Sequence, residues 1–409
     1  MKHNIFTVVT SVERESVDQL RQYLVNLNYL GAAPKDDPLG LTRLPMLHFA
    51  SLFLFDDPKD GWFLVLESNI DGEIDPYLDA LAKEGAACLA KIYSYCGGAP
   101  STSPSALPNY WRQHIYHPEA GYVGNPFRTC QQIKLEAHVH RVADQALGFT
   151  GKLKEPGDAA SDVIKALEDA PHTATYATGE MGRSGSTAAR LMGAAAALVP
   201  VVFWVAVFLP LLLINYLKER AAKGDDLRPD AYHVRNQKQF EDYQPTNHMV
   251  SIVHLHPDWT RRTAKRAAFR ILNFLARHHF TKGQLGSIPT IHFAHWAFLH
   301  EGRRLLFVSN YDGSWDSYLD DFTLKAAKGL TLAWAHSKGI PDTHFMLWGG
   351  AAKGPAFIDW ARRSMVPTLV WYNAYSWMSV GNIDRNTDLR EAIVKDKNAQ
   401  NKGSWLERI

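Results

Sequence analysis

The sequence predicts an α+β chain: two copies of one βαββαβ unit, closed together as an α/β barrel, with an apolar helical insert between them. Three observations predict it. Residues 44–55 read LPMLHFASLFLF and residues 288–299 read IPTIHFAHWAFL. Residues 68–79 read SNIDGEIDPYLD and residues 309–320 read SNYDGSWDSYLD. Between the two halves, residues 191–217 carry no charged side chain. Similarity sustained over such stretches marks a duplicated structural unit. The chain therefore divides into repeat 1 (1–150), a linker with the apolar segment (151–247) and repeat 2 (248–409).

In repeat 1, residues 6–12 are apolar and β-branched, which predicts a strand. Val17, Leu20, Leu24 and Leu27 lie on one helical face, which predicts a helix over 15–30. Residues 47–55 and 62–68 read as strands around the turn DDPKDG. A helix over 75–87 and a fourth strand over 89–95 complete the unit. Repeat 2 gives the same order: strand 249–255, helix 259–280, hairpin strands 291–299 and 304–309, helix 316–328 and strand 330–336. This order is the ferredoxin-like motif. Each repeat then has a Trp-Arg and Pro tail, NYWRQHIYHPEAGYVGN and DWARRSMVPTLVWYNAY.

The hairpins set the expected site. Folding residue 55 against 62 places His48 opposite Asn69, and folding 299 against 303 places His292 opposite Asn310. Directly paired residues share a face, with Cβ atoms ~5 Å apart. Each His is therefore expected beside its Asn-x-Asp, with Asp71-Gly72 and Asp312-Gly313 turning into a helix capped by Asp75 or Asp316. Two roles suit His48 and His292 equally: a core histidine bonded to the turn, or a metal ligand or general base oriented by a carboxylate. Asn and Asp before Gly also suit turns whatever the function. His295, unique to repeat 2, is expected on the opposite face from His292. No His in the His-rich second half has H-E-x-x-H spacing.

With 46% hydrophobic and 21% charged residues the composition is ordinary and globular. A net charge of +2 gives no reason to expect nucleic acid as a partner. Cys88, Cys96 and Cys130 form no disulfide framework and no zinc spacing. The opening MKHNIFTVVTSVERES has no apolar core of a secretory signal. GRSGS lacks both a preceding strand and a following GK[ST], so it is not read as a phosphate loop.

The segment LMGAAAALVPVVFWVAVFLPLLLINYL is long enough to cross a bilayer core of ~30 Å. A single crossing would separate repeats that pack together. A segment bent at Pro200 and Pro210, entering and leaving on one side or lying in the interface, is therefore expected; a buried core helix is the alternative. Trp204 and Phe208 are its expected lipid contacts. The helix WTRRTAKRAAFRILNFLARHH offers Arg261, Arg262, Lys265 and Arg266 to anionic headgroups, or simply to solvent over the sheet. Arg303 and Arg304 are expected to be solvated at the hairpin turn. Trp348, Trp360, Trp371, Tyr372, Tyr375 and Trp377 read as core, as a pocket wall or as interface residues.

A doubled ferredoxin-like unit with Asp-Gly after an internal strand resembles the dimeric α/β-barrel superfamily. Within it the chain is distantly similar to dye-decolourising peroxidases, whose fingerprint is Gly-x-x-Asp-Gly. Asn69-Ile70-Asp71-Gly72 and Asn310-Tyr311-Asp312-Gly313 match its Asp-Gly half. The resemblance implies haem, with Asp312 or Asp71 on the distal side and a His as axial ligand. The expectation that follows is a membrane-attached oxidoreductase acting on an apolar or lipid-derived substrate at the cytoplasmic face. His292 and Asp312 would do the chemistry, His292 as iron ligand or base. His48 and Asp71 would be their counterparts, and Asn69 and Asn310 would orient them. The alternative expectation is a non-catalytic lipid-binding or accessory subunit of a membrane complex, with protein partners.

Overall fold

The computed structural model describes residues 2–100, 104–148, 156–169, 187–221, 230–278, 288–399 and 406. The first half of the chain supplies β1 (His3–Val12), β2 (Leu30–Gly31), β3 (Leu47–Asp57), β4 (Gly61–Asp71), β5 (Ile115–Tyr116) and β6 (Ala120–Val123). The second half supplies β7 (Thr246–His254), β8 (Ile291–Leu299), β9 (Arg304–Asp312), β10 (Thr343–His344), β11 (Trp348–Gly349) and β12 (Thr368–Asn373). Helices α1 (Val17–Asn26), α2 (Ile74–Glu84), α3 (Ala86–Tyr93), α4 (Leu107–Arg112), α5 (Cys130–Leu147) and α6 (Pro156–Asp169) come first along the chain. They are followed by α7 (Thr187–Ala221), α8 (Ala231–Lys238), α9 (Trp259–His278), α10 (Trp315–Lys325), α11 (Ala327–Trp334), α12 (Pro355–Ser364) and α13 (Val380–Ala399).

The strands form two open sheets, one mixed and one antiparallel, and a short ribbon, β10–β11; among the described residues there is no closed barrel. One sheet has the order β2-β12-β3-β4-β1-β5, the other β6-β8-β9-β7. Each edge exchange crosses between the halves. The chain after β5 adds β6 to β8, and the chain after α12 adds β12 to β3. The sheets pack face to face, with Phe53, Val65, Val250 and Leu306 between them. Helices cover both outer faces: Leu20, Leu24, Leu78 and Ile92 on one sheet, Phe269, Trp334, Phe357 and Trp360 on the other. Strands covered on both faces need apolar residues at every position, which is why β3 and β8 read as near-continuous apolar runs.

Several expectations are corrected. The expected fourth strands, residues 89–95 and 330–336, lie largely in helices α3 and α11. Cys88, Leu89, Ile92 and Tyr93 are buried at helical spacing, and a short apolar run does not distinguish that pattern from a strand. Asp75 and Asp316 sit in first turns rather than at caps. Ser314 caps α10, and Glu73 precedes α2 with no side-chain cap bond. Arg304 is not solvated: it is buried, with Nε 2.6 Å from Asp57 Oδ2 on the other hairpin. The apolar segment does not fold back at Pro200 or Pro210; both lie within the single helix α7.

The hairpin register also differs by one place. Phe49 faces Asn69 and Phe293 faces Asn310, because a β-bulge falls at His48 and at His292. A bulge leaves its residue unpaired and rotates it. His292 consequently turns to the inter-sheet side, the side that also takes Phe293 and His295, and not to the face opposite His295. The carbonyl freed at each bulge is taken by a tail from the other half. His48 O accepts from Ala374 N at 2.9 Å and His292 O from Gly124 N at 2.8 Å. A Cβ at Gly124 would meet Ile291 O at 2.1 Å, so this close approach requires glycine.

Candidate functional site

The two bulges bring the duplicated residues into one composite centre. His48 Nε2 lies 3.0 Å from Asp71 Oδ1, and His292 Nε2 lies 2.7 Å from Asp312 Oδ1. The second oxygen of each Asp accepts from a helix N-terminus: Asp71 Oδ2 from Cys130 N of α5, and Asp312 Oδ2 from Val380 N of α13, both at 2.8 Å. The carboxylates thus satisfy first-turn amides and meet the positive end of the helix dipole. Phe49 and Phe293 pack on each other, and each faces the other repeat's imidazole at 5.5 and 5.1 Å.

The two halves of this centre are not equal. His48 Nδ1 meets the Tyr375 hydroxyl at 3.0 Å, whereas His292 Nδ1 is buried with no hydrogen-bond partner among the described residues. A proton donated from His48 Nε2 to Asp71 leaves Nδ1 to accept from Tyr375. Burial holds the His48 pKa below its ordinary value against the pull of Asp71. Burial also pushes Asp71 up, but the His3 and His48 imidazoles and the Cys130 amide outweigh it and hold the carboxyl low. Tyr375 is pushed well up by burial. Sequence reasoning missed His3, whose Nδ1 is 3.1 Å from Asp71 Oδ1.

His3, His48 and Asp71 offer ligand atoms within 4.8 Å of one another. The Phe127 amide, however, donates to His3 Nε2 at 3.2 Å. In a neutral ring that leaves the proton on Nδ1, where a cation would need the lone pair. The cluster reads as a hydrogen-bonded knot. Haem does not fit at this centre either. His48 and His292 are each 1% exposed and enclosed by Phe49, Phe293 and Tyr375, so no room remains beside either imidazole for a macrocycle.

Asn69 and Asn310 do not orient the histidines. They belong to a buried polar layer between the sheets. Asn69 Nδ2 donates to Glu67 Oε1, Ser51 Oγ lies 3.2 Å from Glu67 Oε2, and Trp371 Nε1 donates to Asn310 Oδ1 at 2.9 Å. His295 spans the sheets, with Nε2 3.2 Å from Thr7 Oγ1 and Nδ1 3.9 Å from Glu67 Oε1. Burial raises the Glu67 pKa to about 8 against the bonds from Asn69 and Ser51, and lowers His295 to about 3. Glu67 was missed; the available signal was a lone acid inside the apolar run of β4. A narrow cleft lined by Gln237, Asn247, Thr368 and Trp371 reaches His248, which borders this layer.

The expected membrane residues divide. Phe208 is buried against α9 and Trp204 half-buried there, so neither faces outward. Lys265 is 1% exposed, and its ammonium is bonded to the Leu332, Ala333 and Ala335 carbonyls at the C-terminus of α11. Burial drives its pKa well down. Arg261 and Arg262 are half-buried and Arg266 is exposed. The outward face of α7 consists instead of Val202, Phe203, Leu209, Leu213 and Leu217, between 59% and 65% exposed. No protein-family model, no curated protein and no solved structure matches this chain.

Proposed function

We propose that this chain is a membrane-attached, non-catalytic protein, held on a lipid surface by α7 and serving as a lipid-binding or accessory subunit beside other membrane proteins. Its body is read as two diverged copies of a ferredoxin-like unit. The shared order second–third–first strand, β3-β4-β1 and β8-β9-β7, supports that descent, as do the matching bulges.

The outward stripe of α7 carries the membrane reading. It runs from Val202 to Leu217, about 23 Å at 1.5 Å per residue. The opposite side of the same helix is seated on Ala264, Ala267 and Ala268 of α9. A helix packed on protein along one side and apolar on the other suits the plane of the interface, not a crossing. The non-catalytic reading follows from the composite centre. Its carboxylates are committed to helix amides and imidazoles, and its histidines are shut from solvent.

Flotation of the full chain with phosphatidylcholine vesicles tests this. The wild type floats, and a Phe203→Glu, Leu209→Glu, Leu213→Glu variant of unchanged circular dichroism stays with the aqueous fraction. A wild type that does not float but forms a dimer dissolved by the same variant would make the stripe a contact between copies and overturn the reading.

A second reading, an oxidoreductase acting on an apolar substrate, has one observation in its favour: the unpartnered Nδ1 of His292 beside Asp312. An absorption spectrum of protein purified from membranes with ample haem supply separates the two. The spectrum expected is featureless near 400 nm; a Soret band restores the second reading.

A further inference from the structure

We propose that the C-terminal end of the α7 stripe is a binding site for the phosphate of anionic lipid headgroups, an assignment that rests on the membrane reading above. The stripe ends at Leu217, and the chain changes character there, with Lys218 and Arg220 next on α7. Helix α9 runs antiparallel to α7. Asn215 Nδ2 bonds to Thr260 O, Lys218 pairs with Asp258, and Phe208 packs further along α9 against Ala264–Ala268. The first turn of α9 therefore stands at this same end and brings Trp259, Arg261 and Arg262.

A third segment completes the end. The Tyr216 ring stacks on Phe345 at 4.0 Å, and Phe345 meets the edge of Trp348 at 6.1 Å. Trp259 and Trp348 are 67% and 51% exposed, large indoles left outside the core. The Arg220 guanidinium lies 6.0 Å from the Tyr216 ring centre. Three segments distant in sequence thus place indoles and guanidiniums together beside one apolar stripe. Indoles settle at headgroup depth, and guanidinium presents a fork of donors to phosphate oxygens. Among the described residues, the nearby acids leave Arg220, Arg261 and Arg262 without an ion-pair partner. Asp258 is engaged by Lys218 and Thr260. Glu219 is turned inward to Thr343 Oγ1 and the Met346 amide, 3.6 Å from His336.

The test compares sedimentation of the full chain with vesicles of phosphatidylcholine alone and of phosphatidylcholine mixed with phosphatidylglycerol. The expected result is tighter partitioning to the anionic vesicles, cancelled by high salt. An Arg220→Gln, Arg262→Gln variant should lose roughly thirtyfold on anionic vesicles, at about a factor of five per cation, with no change on neutral ones. Circular dichroism confirms that the variant is folded. Equal binding of the wild type to both vesicles overturns the phosphate site and leaves the membrane reading standing. An anionic preference retained by the variant overturns this placement of the site. Binding to neither vesicle overturns the membrane reading itself.

Discussion

His48 and His292, counterparts in the two repeats, turn their rings onto one phenol, that of Tyr375, with ring centres 5.8 and 6.0 Å from it. Only His48 hydrogen-bonds its hydroxyl. The duplicated motif therefore builds one centre, completed by a residue outside the duplicated stretch.

Tyr375→Phe should expose that inequality. It strips His48 Nδ1 of its partner in a buried site, a loss of about 1–3 kcal/mol. His292 never had the bond, so His292→Phe paired with Tyr375→Phe should give additive effects, while His48→Phe should not. A double-mutant cycle by urea denaturation measures both, and a zero coupling for His48 contradicts the geometry.

Asp71→Asn and Asp312→Asn should each lower the melting temperature. Each removes a charge-assisted acceptor for a helix amide and an imidazole partner, together worth about 2–4 kcal/mol. Calorimetry of the two variants checks this. Unchanged melting temperatures would return the pair to chemistry.

Glu67 supplies a pH signature. Its pKa rises from 4.5 to about 8 on folding, so the folded state holds a proton that the unfolded chain releases. The protonated form is accommodated in full below pH 4.5, and stability falls as pH rises towards 8. The whole displacement corresponds to roughly 5 kcal/mol as an order of magnitude. Glu67→Gln should therefore melt with the wild type near pH 4 and well above it near pH 9. Parallel curves across that range would place Glu67 in contact with solvent.

Lys265→Met should be destabilising although it removes a buried cation. The ammonium satisfies three carbonyls at the end of α11, and a thioether satisfies none, leaving a deficit of about 1–3 kcal/mol. Chemical denaturation reads this directly; a stabilised variant would show that desolvation of the charge outweighs the bonds.

The elements were legible where periodicity was strong. The paired hairpins and the first helix of each repeat stand where the apolar spacing put them. Residues 89–95 and 330–336 were misread because short apolar-rich runs satisfy strand and helix alike, and contact with the sheet decided for helix. The His–Asp pairings were legible from the duplication. His3 and Tyr375 were not, because each meets its partner from a segment remote in sequence; Glu67 is partnered within its own hairpin by Asn69 and Ser51, and its signal was only a lone acid in an apolar strand.

The similar stretches in the two halves, their strand-rich hairpins and the uncharged segment between them are local patterns of side-chain polarity, readable along the chain. The direction in which side chains point depends on long-range packing. One bulged residue in each hairpin moved His48 and His292 to the inter-sheet face, because a strand's faces alternate at every residue. Packing of α7 on α9 buried Phe208 and left Phe203 and Leu213 outward, while the end of α11 took up the Lys265 ammonium. A helix with apolar residues all round carries no record of the side its neighbour will cover.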